Sequence, residues 1–539
     1  MPRISERILY LVFILFVFSM SHLSYINNGF TWLDHQDIED KAAVVPLNNI
    51  STIVFNNYSN TRYYRPVVTW VHSVDYALFH DNPTGFHITN ILIMMFIIGA
   101  SLPFLSCFTK MNDQEKIVIA LLISVHPLGW LPVGSISYRP ELLYVLFTEL
   151  TLICHVYYRQ KGHFIYRLGA LLFFLLALFS KETSLVLVPF FIIVWEYVYR
   201  HSIKKPFPYL FIGEEILVLI IFLILKISAV GTFWASRNYP MTFFENMGTR
   251  IVVIGKLVEM LINPLLPPLS DSTKIINIVT IQPIYYLILL ILLILLLRKL
   301  KDKNITLGIL LIGITLLPAL NILSLPRFIS PHYAFFSMIM TSSVMVLILR
   351  KFNKTVKTIS IFFLLTIILF MEIHTFQGGN RFKNDYTLFY PEVLKDDNFL
   401  EGHYYLGDYY YSQNKIQKTE SEYTYSLRSN PGIIAYVDQT SALIKLANIK
   451  RIRKKYAEAG ALLDKAGQDP DKRIKDVVIY DKATLAYEMG NYKKAEEILE
   501  SSSISWKENA NASRLLLSSY KKLGEEEKIT NFLKKISQE

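Results

Sequence analysis

Asp34, Asp37, Glu39 and Asp40 crowd into one short stretch, Gly29-Phe30-Thr31-Trp32-Leu33-Asp34-His35-Gln36-Asp37-Ile38-Glu39-Asp40. It follows directly on an apolar segment, Ile8 to Ile26, long enough to cross a bilayer. A carboxylate at a membrane exit can take a proton from an attacking hydroxyl or hold a metal ion. That position suits chemistry on a lipid-borne substrate. The plain alternative is an acidic loop that is merely solvated, and other stretches of the chain decide between the two.

Those stretches are basic or amphoteric and recur between apolar runs. They are Thr61-Arg62-Tyr63-Tyr64-Arg65-Pro66, Asn82 to Asn90 with His87, His126-Pro127-Leu128-Gly129-Trp130, Ser137-Tyr138-Arg139-Pro140-Glu141, Ser180-Lys181-Glu182-Thr183, and Arg327 to Tyr333 with His332. Arg presents a planar fork to phosphate oxygens and Lys a point charge. Arg65, Arg139, Lys181, Arg327 and His332 are therefore candidate ligands of a donor phosphate. His35, His87, His126, Glu141 and Glu182 would complete the lining, unless Lys181 with Glu182 and Arg139 with Glu141 simply neutralise each other.

The elements that must bring these groups together are membrane helices. The chain has 539 residues, 52% of them hydrophobic, with a net charge of +11. The apolar residues concentrate before about residue 375, and a polar tail follows. A spanning helix needs roughly 20 apolar residues, which gives about eleven spans. These lie near 8–26, 87–107, 115–133, 140–158, 165–180, 184–199, 209–230, 281–298, 305–324, 333–350 and 357–375. Basic clusters fall at Pro2-Arg3 to Arg7, Lys110 to Lys116, Arg159 to Arg167, Arg200 to Lys205, Arg298 to Lys303 and Arg350 to Lys357. All share one side, so the positive-inside rule puts the N-terminus inside, and the acidic stretch and tail outside. This placement of charge also argues against nucleic-acid binding. Cys107 and Cys154 lie in apolar segments and offer no disulfide framework. Residues 248–262 are too short and too charged to span, and read as an interfacial or re-entrant helix.

The order of these motifs resembles the tetratricopeptide-repeat-containing membrane O-mannosyltransferases, a branch of the GT-C glycosyltransferases. The matching pieces are Phe30-Thr31-Trp32-Leu33-Asp34, Tyr64-Arg65-Pro66, Phe86-His87-Ile88-Thr89-Asn90, His126-Pro127, Tyr138 to Leu143 and Ser180-Lys181-Glu182-Thr183. Asn263 to Asp271 and Arg381 to Phe389 match more weakly. Leu33 stands where the family usually has the first of two adjacent acids. Pro331-His332 stands where it has Glu-Arg, and Met94 where it has His. The resemblance implies a polyprenyl-phosphate sugar donor and one inverting displacement with Asp34 as general base. Asp37 would then be an assisting acid or the ligand of a divalent cation.

The tail carries internal repeats. Leu406-Gly407 to Pro431, Tyr456 to Pro470, Ala483 to Glu497 and Tyr520 to Gly524 fit the roughly 34-residue tetratricopeptide pattern. The expected architecture is all-α: a GT-C-type bundle over 1–380, with a first outer loop at 28–86, then a solenoid over 381–539 that binds a protein or peptide acceptor. Two other functions are weighed. A non-catalytic scaffold for envelope proteins predicts nothing special in the outer loops, and a lipid-linked-glycan transporter predicts paired charges near midplane. The Ile-, Lys- and Asn-rich usage fits a bacterial inner membrane with the site on the periplasmic face. In a eukaryote it would be the endoplasmic reticulum membrane.

Overall fold

Helices dominate the computed structural model, which describes residues 4–59, 61–203, 206–232, 239–321, 325, 327–502, 506 and 509–538. Pro2, Arg3 and Lys205 of the expected basic loops lie outside the described residues. The chain divides into two units, Met1–Leu388 with Gly432–Ile434, and Phe389–Pro431 with Ala435–Glu539. The expected junction at 380–381 falls inside the first unit. Phe382 is fully buried there, its ring against those of Trp130 and Tyr25.

Among the described residues of the first unit, six helices are long and apolar enough to cross a membrane, or up to seven if one bent pair counts as a single span. The sequence led us to expect about eleven. Phe164–Ser180 and Ser184–Tyr199 are apolar but shorter, and Tyr209–Val230 carries Glu214, Glu215 and Lys226. The bent pair is Asp113–Val125 with Pro127–Gly134, turned by 48° where Pro127 interrupts the helix. The helix Ile281–Leu300 keeps nearly all its Leu and Ile side chains exposed, as a lipid-facing segment must. The chain is thus a multi-pass membrane protein.

Three prolines start the helices that matter for the site. Pro66 opens Pro66–Phe79, Pro83 opens Pro83–Ser106 and Pro140 sits in the first turn of Arg139–Lys161. Proline has no N–H to lose at a helix start, and its φ is already helical. Arg65 is consequently an N-terminal cap residue and Arg139 a first-turn residue. Residues 248–262 form part of one longer helix, Phe243–Ile262, begun by a Thr242–Glu245 capping box. It buries Val252, Val253, Leu257 and Leu261, but exposes Phe243, Phe244 and Ile262. A two-residue strand, Thr273–Lys274, pairs antiparallel with Ile433–Ile434.

The second unit is a run of helical hairpins. Leu400–Ser412 returns in Ile416–Ser426, Gln439–Ile452 in Tyr456–Ala466, Lys472–Glu488 in Tyr492–Glu500, and Ala510–Leu523 in Glu526–Gln538. Small and large residues alternate where they meet: Ala447, Ala459 and Ala466 surround Leu463, and Ala483 and Ala512 pack with Leu499, Leu516 and Trp506. In the first hairpin a Cβ on Gly407 would lie 2.4 Å from the ring of buried Tyr423. Only glycine lets the helices close there. Gly407→Ala should therefore destabilise the second unit by about 1–3 kcal/mol through overpacking, seen as a lower thermal midpoint of its helical circular-dichroism signal.

Candidate active site

The acidic stretch forms a folded turn, not a solvated loop. Trp32 takes a left-handed backbone with φ of +59°, uncommon for a bulky residue. Its N–H donates to Asp385 Oδ1 at 2.8 Å, and its ring packs 5.2 Å from that of Tyr138. The turn closes with the Asp34 N–H donating to the Thr31 carbonyl at 3.0 Å. Asp34 is fully buried: its Oδ1 accepts from the Ser137 N–H at 2.8 Å and the Ser135 hydroxyl at 3.2 Å, and its Oδ2 from the Thr31 N–H at 3.3 Å. Burial pushes the Asp34 carboxyl up to about 6, against the pull of these donors and of the His35 charge. A carboxylate so placed holds a proton more readily than an ordinary Asp and is still mostly ionised at neutral pH.

His35 and Asp37 are also committed to partners. The His35 ring is bonded to Glu39 through Nδ1, and meets Asp385 Oδ2 at 3.0 Å through Nε2. Burial works against its charge, but the hydrogen bonds and charges of Asp385 and Glu39 outweigh that and push it up to about 10. His35 is therefore a cation at neutral pH. Asp37 accepts from the Tyr58 hydroxyl at 2.8 Å and from the Ser59 hydroxyl. Burial raises it, opposed by those hydroxyls and the nearby Arg65 charge. Among the described residues no three His, Cys, Asp or Glu side chains converge as a metal-ion site.

The cationic residues separate into two environments. In the first, Arg65 Nε lies 3.6 Å from Glu182, with its guanidinium 4.2 Å above the Tyr63 ring. Lys226 reaches the same Glu182 at 3.3 Å. Lys181 pairs with Glu141, which His332 Nε2 approaches at 3.5 Å. Arg327 lies 4.9 Å over the Trp32 ring. The rings of Trp32, Tyr138 and His332 follow one another, 5.2 and 4.8 Å apart, and lead from the Asp34 turn to Glu141. Arg65, Lys226 and Lys181 thus meet the carboxylates of Glu182 and Glu141, and Arg65, Lys181 and Arg327 are only partly buried. Cationic side chains gathered beside an enclosed carboxylate can hold an anion of phosphate type.

Arg139, His87 and His126 stand apart from that cluster. Arg139 is fully buried: it pairs with Asp75 at 2.7 Å and donates to Asn90 Oδ1 at 2.8 Å and to the Phe86 carbonyl at 3.1 Å. The expected role on a donor phosphate gives way to a structural one, because a distant carboxylate, Asp75, reaches Arg139 where Glu141 does not. Lys181 likewise pairs with Glu141 and not with its neighbour Glu182. His87 Nε2 meets the Gly29 carbonyl at 3.2 Å, and His126 Nε2 the Leu261 carbonyl at 3.1 Å. Both pin backbone. Sequence reasoning gave no role to Ser135, Asp75, Lys226 or Asp385, and of these only Asp385 lies in a motif that sequence singled out.

The Arg139–Asp75 pair has a measurable consequence. Arg139→Ala strands a buried carboxylate and should cost about 3–5 kcal/mol. Asp75→Leu combined with it should recover part of that loss, as read by thermal unfolding of the purified protein.

Residues 64–225 match the family model described as dolichyl-phosphate-mannose-protein mannosyltransferase. A protein O-mannosyl-transferase of Caenorhabditis elegans, F38B6.6, is 26% identical over 199 residues, which cover 34% of this chain and 28% of that relative. The chain thus matches less than a third of that relative's length. Among solved structures, ArnT from Cupriavidus metallidurans is similar in its apo state at 11% identity and a TM-score of 0.43, covering 74% of this chain and 79% of that one. Its undecaprenyl-phosphate-bound form gives 11% identity and a TM-score of 0.41, covering 87% and 82%. The stretch that matches the family model carries Arg65, Arg139, Glu141, Lys181 and Glu182.

Proposed function

We propose that the chain transfers a sugar from a polyprenyl-phosphate carrier to an acceptor hydroxyl, a protein Ser or Thr or another glycan, on the outer face of the membrane. The carrying observation is the gathering of Arg65 and Lys226 on Glu182 and of Lys181 on Glu141, linked through the ring contacts of His332, Tyr138 and Trp32 to the turn that encloses Asp34, with Arg327 over the Trp32 ring. The family match over residues 64–225 supports the same chemistry.

In this reading Arg65, Lys181, Arg327 and His332 bind the phosphate that leaves. The acceptor oxygen attacks the anomeric carbon from the opposite face, the bond from that carbon to the phosphate oxygen breaks, and the configuration inverts. The hydroxyl proton passes to Asp34 as the new bond forms. Asp34 is enclosed in this conformation, so the acceptor hydroxyl takes the place of the Ser135 donor when it arrives. We read the helical hairpins of the second unit as tetratricopeptide repeats that would present a peptide acceptor. A purely scaffolding protein would have no use for cations gathered beside an enclosed carboxylate.

The reading fixes a pH dependence. Asp34 must be ionised to accept a proton, and burial has raised it to about 6. Transfer should fall as pH drops through about 6, whereas an ordinary Asp would sustain it down to about 4. Asp34→Asn keeps the shape and removes the base, so the transfer rate should drop by about 10²–10⁴-fold with donor binding retained. A folded Asp34→Asn protein that transfers at the normal rate would reject the assignment. Removing a charge-assisted bond costs about 1.5–3 kcal/mol. Arg65→Ala and Lys181→Ala should therefore each weaken donor affinity by about one to two orders of magnitude, measured by titration of a polyprenyl-phosphate sugar.

A further inference from the structure

We propose that Asp385 is a positioning residue: it holds the turn on both sides of Asp34 in the geometry that transfer requires. The inference rests on the glycosyl-transfer reading above. One carboxylate does both jobs, since Oδ1 accepts the Trp32 N–H at 2.8 Å and Oδ2 meets His35 Nε2 at 3.0 Å. The two anchored residues bracket Leu33 and Asp34.

The Trp32 backbone is what makes a latch necessary. A left-handed conformation at a bulky aromatic residue is strained and persists only when its surroundings enforce it. The Trp32 ring lies between Tyr138 and the Arg327 guanidinium, which fixes the side chain. The Asp385 bond fixes the amide.

Asp385 can act as a fixed point because its own segment is held. The Asn28 amide donates to the Gly379 carbonyl at 2.8 Å, and the Tyr25 hydroxyl to the Thr375 carbonyl at 3.0 Å. The backbones lie so close that a Cβ on Gly29 would sit 2.9 Å from the Lys383 carbonyl oxygen. Asp385 is itself buried, with both oxygens occupied, so it positions the turn and does not bind substrate. This gives a task to the Arg381–Phe389 motif that the phosphate cluster leaves unused.

The test uses the full-length protein in lipid nanodiscs, with polyprenyl-phosphate mannose as donor and a Ser/Thr-rich peptide as acceptor. Asp385→Ala should lower kcat by roughly 10²-fold, the scale of an ångström-sized misplacement, with donor KM close to wild type. Asp385→Asn keeps an acceptor oxygen for the Trp32 N–H but turns an amide NH2 toward His35, and should restore kcat in part. Normal kcat in Asp385→Ala, in a protein that Asp34→Asn inactivates, would overturn the proposal. So would a change confined to donor KM. If the wild-type protein transfers no sugar, the glycosyl-transfer reading fails, and the latch is judged by trypsin cleavage after exposed Lys41. Faster cleavage in Asp385→Ala than in wild type and Asp385→Asn supports it, and equal rates overturn it.

Discussion

The ion pair between Arg139 and Asp75 is the interaction on which the site end of the bundle depends. A guanidinium cannot be removed from water at a membrane-spanning helix without a carboxylate and further acceptors. Arg139 finds them on Pro66–Phe79 and Pro83–Ser106, through Asp75, Asn90 and the Phe86 carbonyl. Asn90 donates in turn to the Val133 and Ser135 carbonyls, each at 3.2 Å. The same turn carries the Ser135 hydroxyl and Ser137 amide that hold Asp34. A buried charge thus fixes the frame against which the enclosed carboxylate is set.

Beside that frame lies the cluster of cationic side chains. Glu182 serves both Arg65 and Lys226, and Glu141 serves Lys181 with His332 nearby. The acids hold these cations in place, and partial burial keeps water from screening their charges. The aromatic ladder of Trp32, Tyr138 and His332 shows how the cluster and the Asp34 turn share one wall. A shift in one would be felt in the other.

Sequence alone determined the class of the molecule: helical, multi-pass in a membrane, with a polar helical tail. These follow from length of apolar runs, proline at helix starts and repeating small and aromatic residues, all of which are local or periodic signals. It also singled out stretches that the fold joins, Arg65 to Glu182, and Lys181 and His332 to Glu141. What it could not decide was pairing. Proximity in sequence suggested Arg139 with Glu141 and Lys181 with Glu182, yet the folded chain joins Arg139 to Asp75 and Lys181 to Glu141. Neighbours along a helix start point to different faces, whereas residues a hundred apart can share a buried corner. Span lengths, the enclosure of Asp34 and the reach of Asp385 to Trp32 and His35 were settled in the same way. They depend on which surfaces helices bury against one another, and only the tertiary structure decides that.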